Sequence, residues 1–171
     1  MTQSHQLATF DLDGLLFAIE VEKIQEILGF QEMTPVPLAP PAVEGLINLR
    51  GQIITAVDLR RRLGLRKRID GSLPVNVVIR DRGDVLSFLV DMMGEVVEVG
   101  DESFELPPET MDSDSRALIR GIHKLGDRLL HVLDVEEAIK LPAVEGERDV
   151  SGSAAQDPDD WRRSPGREKR P

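Results

Sequence analysis

The sequence predicts an all-β protein made of two copies of one small unit, each of about five strands. Three observations carry that expectation. Apolar residues come in short runs broken by Gly, Pro, Asn and Asp, the pattern of strands joined by tight turns. Aromatic residues are 4% of the 171 positions, with one Trp and no Tyr, so the core is built from Val, Ile and Leu, residues that favour a pleated, half-buried surface. Finally, Gly45–Leu65 slides onto Gly121–Leu141 without a gap. Gly45 then meets Gly121, Leu49 meets Leu125, Asp58 meets Asp134 and Leu65 meets Leu141. Apolar positions coincide as well, Ile53 with Leu129, Ile54 with Leu130 and Val57 with Leu133.

The elements follow in order. Leu7–Phe10 and Leu15–Ile19 flank Asp11-Leu12-Asp13-Gly14 and read as a β-hairpin. Glu20–Leu28 fits either a short helix, through Val21, Ile24 and Leu28, or one turn at Glu22–Ile24 and then a strand from Gln25. Thr34-Pro35-Val36-Pro37 and Ala39-Pro40-Pro41 predict an extended connection, because the residue before a proline is driven out of the helical region. Gly45–Asp58 gives two strands around Gly51, and Leu59–Gly64 one helical turn stopped by glycine. A second hairpin pairs Val75–Ile79 with Val85–Val90, and Phe17–Glu20 of the first hairpin aligns with Phe88–Asp91 of the second. Val96–Val99 is a further strand, and residues 101–117, with Pro107-Pro108, form a surface loop. Leu118–Lys124, Arg128–Leu133 and a short helix near Val135–Ile139 close the ordered part.

Strands this short suggest small closed barrels, since closure removes exposed edges. Either unit alone buries too little to be secure, so packing the two together completes one core. The expected domain is 1–141, with a first barrel mainly 14–70 plus a swapped or shared strand and a second mainly 72–141. Residues 142–171 are expected to be a disordered tail, rich in Gly, Ser, Pro and mixed charge, whose one large apolar group is Trp161.

Composition also excludes functions. Without cysteine there is no disulfide, thiolate metal site or cysteine nucleophile. His5, His123 and His131 have no metal-ligand spacing with carboxylates, although His123 and His131 could face each other across the last hairpin. No Gly-rich phosphate loop and no defensible Ser, His and Asp grouping is present, so catalysis is not expected. A net charge of −10, most of it in residues 1–141, opposes binding to phosphate backbones and anionic lipid. The dense basic run Arg60-Arg61-Arg62 with Arg66-Lys67-Arg68 is the one feature that favours a small-barrel nucleic-acid binder, and its plainer reading is a solvated face. No run reaches the roughly 18 apolar residues of a membrane span, and Met1–Phe10 is unlike a signal peptide, so the expected location is the cytoplasm.

One stretch identifies a family. Val43-Glu44-Gly45-Leu46-Ile47-Asn48-Leu49-Arg50-Gly51-Gln52-Ile53-Ile54, followed by Val57-Asp58-Leu59-Arg60, resembles the signature of CheW-like domains. Phe17-Ala18-Ile19, Gln25-Glu26-Ile27 and Pro35-Val36-Pro37 with Pro40 and Pro41 fit as well, and the resemblance runs from about Leu7 to Leu141. It implies two pseudo-symmetric five-stranded SH3-like barrels with short helical turns. It implies a scaffold without catalysis or cofactor that couples chemoreceptors to a CheA-type histidine kinase in bacterial chemotaxis. One barrel, mainly the N-terminal one, would bind the kinase's regulatory domain, and a groove between barrels would take the tip of the receptor's cytoplasmic hairpin. The same module also serves non-flagellar pathways controlling gliding, pili or development. Arg50, Glu26, Ile24 and Val96 match the family's partner-contact positions. Asn48 and Gly51 are expected to shape the turn, Gly51 through a positive φ and Asn48 by bonding backbone. Asp58 and Asp134 are read as helix N-caps. Met92 and Met93 stand where the family has smaller side chains, a departure that could soften that surface.

Overall fold

The computed structural model describes residues 3–142, and the expected tail with Trp161 lies, from residue 143 on, outside the described residues. Eleven strands and three short helices alternate along them. Hairpin β1 (Ser4–Leu12) and β2 (Leu15–Glu20) comes first, then a 3-10 turn at Val21–Lys23 and β3 (Ile24–Leu28). The ambiguous stretch therefore resolves as turn plus strand. Next come β4 (Val43–Leu49), β5 (Gln52–Asp58) and α1 (Leu59–Arg62), then β6 (Val75–Asp81), β7 (Asp84–Val90) and β8 (Met92–Gly100). After a second 3-10 turn follow β9 (Phe104–Glu105), α2 (Ser113–Ala117), β10 (Ile119–Leu125), β11 (Arg128–Leu133) and α3 (Val135–Ile139). The loop expected at 101–117 thus holds a short strand and a helix capped by the Asp112 carboxylate.

The strands form two sheets, ordered β8-β1-β2-β11-β10-β9 and β3-β6-β7-β5-β4. Membership does not follow the expected division near residue 71. Hairpin β6–β7 joins the sheet of β3–β5, and hairpin β1–β2 joins the sheet of β8–β11. Each hairpin reaches its sheet through a parallel pairing, Thr55 beside Leu86 and His131 beside Phe17. Parallel neighbours cannot be joined by a tight turn, so the partner strand must arrive from a remote part of the chain. In the six-stranded sheet the edges meet a single stretch of chain: β8 lies on β1, and β9, one 3-10 turn later, lies on β10. In the other, β3 lies on β6 and the chain beyond it returns to bridge Thr34 to Leu46 of β4. Both sheets therefore curl back on themselves.

The repeat extends to the registers. Bulges interrupt β4–β5 at Val43/Gly45 and β10–β11 at Ile119/Gly121, positions that coincide when Gly45 is laid on Gly121. The hairpins superpose at a different offset from the expected one. Their turns, Asp13-Gly14 and Arg82-Gly83, and their parallel neighbours coincide only when Phe17 is matched with Leu86 and Ile19 with Phe88. The shared phenylalanine shifts the sequence alignment by two positions, a slip that keeps every side chain on its face and so leaves no trace in the pattern.

Apolar burial divides in three. Leu7, Ala18, Val99, Leu130 and Val132 form the core of the larger sheet, and Ile47, Ile54, Ala56, Val78 and Leu89 that of the smaller. The largest cluster draws equivalent residues from both, Val57 with Leu133, Leu59 with Val135, and Phe17 and Ile19 with Leu86 and Phe88. Packing the units together thus completes the core.

Two recurrent glycines and two recurrent aspartates have geometric reasons. A Cβ on Gly45 would stand 2.7 Å from the Thr34 carbonyl oxygen, and one on Gly121 would enter the Phe104 ring. Asp58 and Asp134 cap α1 and α3, accepting from the backbone N–H of Arg60 and Glu137.

Candidate functional site

Strands β4 and β5 are joined by the two-residue turn Arg50-Gly51, in which both residues have positive φ, 52° and 87°. Asn48 Oδ1 accepts from the Gly51 N–H at 2.9 Å and fixes the turn. An arginine is a poor choice here. The first position of such a turn favours Asn, Asp or Gly, and a Cβ in the left-handed region costs about 1 kcal/mol. The compensation comes from β3. Arg50 donates Nη1 to Glu26 Oε1 at 3.0 Å and Nη2 to Glu26 Oε2 at 2.9 Å, a bidentate fork. The Glu26 side chain is 18% exposed and that of Arg50 75% exposed, so the carboxylate forms a floor and the guanidinium projects outward. A pair this open adds about 0–1 kcal/mol to stability. What it provides is orientation, a planar cation held on a rigid turn.

The other expected contact residues are arranged differently. Ile24 shares β3 with Glu26 but is half-buried and packs against the central core. Val96 is 59% exposed on β8, in the other sheet, so it is not gathered with Arg50 and Glu26. Its equivalent across the repeat is Ile27, next to Glu26 and also exposed. Ile53, beside the Arg50 turn, and its equivalent Leu129 are exposed too. Sequence reading did not single out Ile27, Ile53 or Leu129; the available signal was an apolar residue recurring at the same repeat position on the strand face opposite its buried neighbours. Met92 is exposed and Met93 is packed against the core.

A second feature lies between the units. An apolar cleft of about 200 Å³ is walled by Leu15 and Phe17 from one unit and Leu63 and Leu65 from the other, with Met111 and Ile119 at its side. Beside it sits an ion network. Arg60 donates to both oxygens of Asp91 and to the carbonyls of Arg66 and Lys67, Arg66 grips Asp13 at 2.8 Å, and Arg68 meets Asp58 and Asp91 at 3.2 Å. Arg62 donates to the carbonyls of Glu137, Ala138 and Lys140, capping the end of α3. Arg60, Arg62 and Arg68 are therefore tied down by carboxylates and carbonyls, while Arg61, Arg66 and Lys67 stay exposed, so the run is a solvated face over half its residues and a fastened seam over the rest. The Arg66 hydrogen bond holds the Asp13 carboxyl below the usual aspartate range. Desolvation pushes the Asp91 carboxyl upward, but the bonds from Arg60 and the Asp13 N–H, with the charges of Arg60 and Arg68, more than reverse it.

The histidines are apart. Pairing sets His123 opposite Leu130 and His131 opposite Ile122, so the two rings point to opposite faces of the hairpin. His123 Nδ1 lies 2.7 Å from Ser103 Oγ against the Phe104 ring, and His131 Nδ1 lies 2.9 Å from the Leu16 carbonyl against Phe17. Among the described residues no cluster of three or more His, Asp or Glu is set to hold a metal ion.

The two curled sheets thus project a braced arginine and exposed apolar strand residues from their surfaces. Comparison with known proteins gives this architecture a family. The CheW-like domain model matches residues 6–143, and the chain belongs to that family. It is 31% identical over 139 residues to the chemotaxis protein CheW of Treponema pallidum, covering 79% of this chain and 82% of that one. It is 30% identical to the chemotaxis protein CheW of Bacillus subtilis, covering 78% and 86%. Among solved structures, the scaffolding protein TtCheW of Thermoanaerobacter tengcongensis superposes with a TM-score of 0.73 at 26% identity, covering 81% of this chain and 94% of that one.

Proposed function

We propose that this CheW-type chemotaxis scaffold couples a chemoreceptor to a CheA-type histidine kinase through two surfaces and performs no chemistry of its own. The observation that carries the reading is the Arg50–Glu26 fork, in which a residue disfavoured by its backbone is kept and aimed at solvent. Arg50, Glu26 and the neighbouring strand β3, which carries Ile24, form the contact face toward the kinase's regulatory domain. The cleft walled by Leu15, Phe17, Leu63 and Leu65 suits apolar side chains of a helical hairpin, the chemistry of a receptor tip, with Val96 as a contact from the second unit. Holding both partners raises their effective concentration and fixes their geometry. Among the described residues no helix is long and apolar enough to cross a membrane, and the proposed place of action is the cytoplasmic face of a receptor array.

Arg50→Gly separates function from fold. Glycine fits the left-handed turn without strain, so the melting temperature should hold or rise slightly, while titration calorimetry against a CheA-type regulatory domain and a receptor cytoplasmic fragment should lose affinity for at least one. Unchanged affinity for both would remove Arg50 from the contact face.

A further inference from the structure

The loop between α1 and β6 leaves large apolar side chains uncovered. Ile69 is 81% exposed and Leu73 63% exposed, and with Phe30 they line an open groove of about 560 Å³ on the smaller sheet's unit. The loop is pinned where it starts, by Arg60 bonding the carbonyls of Arg66 and Lys67, Arg66 bonding Asp13, and Arg68 bonding Asp58 and Asp91. The apolar wall is thereby preorganised, which lowers the ordering cost of anything that docks on it. Charges of both signs border it, Arg61 and Lys67 with Glu44 and Asp70, and one buried nitrogen of Arg68, itself a lining residue, has no partner among the described residues.

We propose that this groove receives the chain's own segment Asp159-Asp160-Trp161-Arg162-Arg163. That segment sets two acids and two bases around the one tryptophan of the chain, matching an apolar groove lined by three cations and three carboxylates, of which Arg68 and Asp58 pair with each other and Arg61, Lys67, Glu44 and Asp70 remain to meet a mixed-charge segment. The point of departure is also right. Pro142, the last described residue, lines a neighbouring cavity, and Arg61 belongs to both. Trp161 lies nineteen positions beyond Pro142, and a coil of that length spans about 25 Å on average. A tether of this kind gives an effective concentration near the millimolar range, so weak intrinsic affinity is enough for docking. Docked, Trp161 shields Ile69 and Leu73, and its release exposes them.

Trp161 is its own reporter, because no other tryptophan or tyrosine is present. In the full chain its emission should be blue-shifted, and quenched several-fold less by acrylamide, than in a free peptide of residues 157–165. Both differences should vanish in Ile69→Glu combined with Leu73→Glu, two surface changes that keep the protein folded and lower the melting temperature only by the docking they remove. Wild-type emission and quenching equal to the peptide's would overturn the proposal whether or not the variant folds. Shielding that survives the double substitution would place Trp161 elsewhere, and shielding that grows with protein concentration would assign the groove to a second copy; either result overturns it.

Discussion

The two units share strand order, bulges and caps, yet they fill equivalent positions with opposite chemistry. In the six-stranded sheet Leu7 and Ala18 sit in an apolar core. Their equivalents in the second hairpin are Asn76 and Ser87, fully buried, with Ser87 Oγ donating to Asn76 Oδ1 at 2.9 Å and Asn76 Nδ2 donating to the Gly29 carbonyl at 3.1 Å. Leu12 is matched by Asp81, a buried carboxylate paired with Lys23. The interface is inverted as well. Asp13, at the tip of the first hairpin, faces Arg60 on α1 at 3.7 Å, whereas its counterpart Arg82 meets Glu136 on α3 at 3.0 Å. The difference teaches that the backbone repeat is held by turns, bulges and aliphatic packing, while polar pairs distinguish one copy from the other. Had Asp13 been set against Glu136, or Arg82 against Arg60, like charges would meet, so the inversion favours the observed placement of each hairpin.

The comparison can be broken most sharply at Lys23. Lys23→Met leaves Asp81 as an unpaired buried charge and should cost about 3–5 kcal/mol in denaturant unfolding. Adding Asp81→Leu copies the sister unit and should recover most of that loss. If the double variant is no better than the single, the carboxylate has a role beyond its pair.

The paired glycines rank next. Gly45→Ala drives a methyl against the backbone carbonyl of Thr34, which cannot yield, and should cost about 1–3 kcal/mol. Gly121→Ala strikes only the outer edge of the Phe104 ring, which can swing away, so its midpoint shift should be clearly smaller. A reversed order would show that the six-stranded sheet is the more rigid at this bulge.

Asn76→Leu strands the Ser87 hydroxyl and should cost about 1–3 kcal/mol, while Asn76→Leu with Ser87→Ala rebuilds the Leu7–Ala18 pair and should lose less than the two single losses combined. Strict additivity in a double-mutant cycle would show that the two side chains act separately.

The smallest effect belongs to His123, which has no histidine counterpart in the other unit. Burial lowers its pKa, reinforced by the charge of His5 and opposed by Asp101 and Glu102. Its folded-state pKa is below its unfolded value, so the unfolded chain takes up the proton first. The stability it contributes is present above about pH 6.5 and declines as pH falls toward the folded-state value. Melting temperatures of wild type and His123→Gln, compared from about pH 7 to pH 5, should show the decline in the wild type and a flatter profile in the variant.

Much of this was legible in the residues. The segment Val43–Arg62 and its copy at Ile119–Ala138 could be read because each is contiguous, so its strands, turn and capping aspartate keep fixed spacing. The Arg50 turn was legible for the same reason, since Asn48, Arg50 and Gly51 are near neighbours in the chain. Glu26 could be named, but not its bond to Arg50. The basic run from Arg60 to Arg68 looked like surface because its carboxylates, Asp13 and Asp91, come from distant turns.

The sequence alone determined the local vocabulary of this protein: short aliphatic strands, two-residue turns and the gapless recurrence of Gly45–Leu65 at Gly121–Leu141. These follow from backbone sterics and side-chain period, which act over a few neighbours. Only the tertiary structure decided that the hairpins change places between sheets, that they repeat at an offset of their own, and that opposite charges guard the seam. Strand partnership and buried ion pairing are settled by contacts between remote segments, and no period along the chain records them.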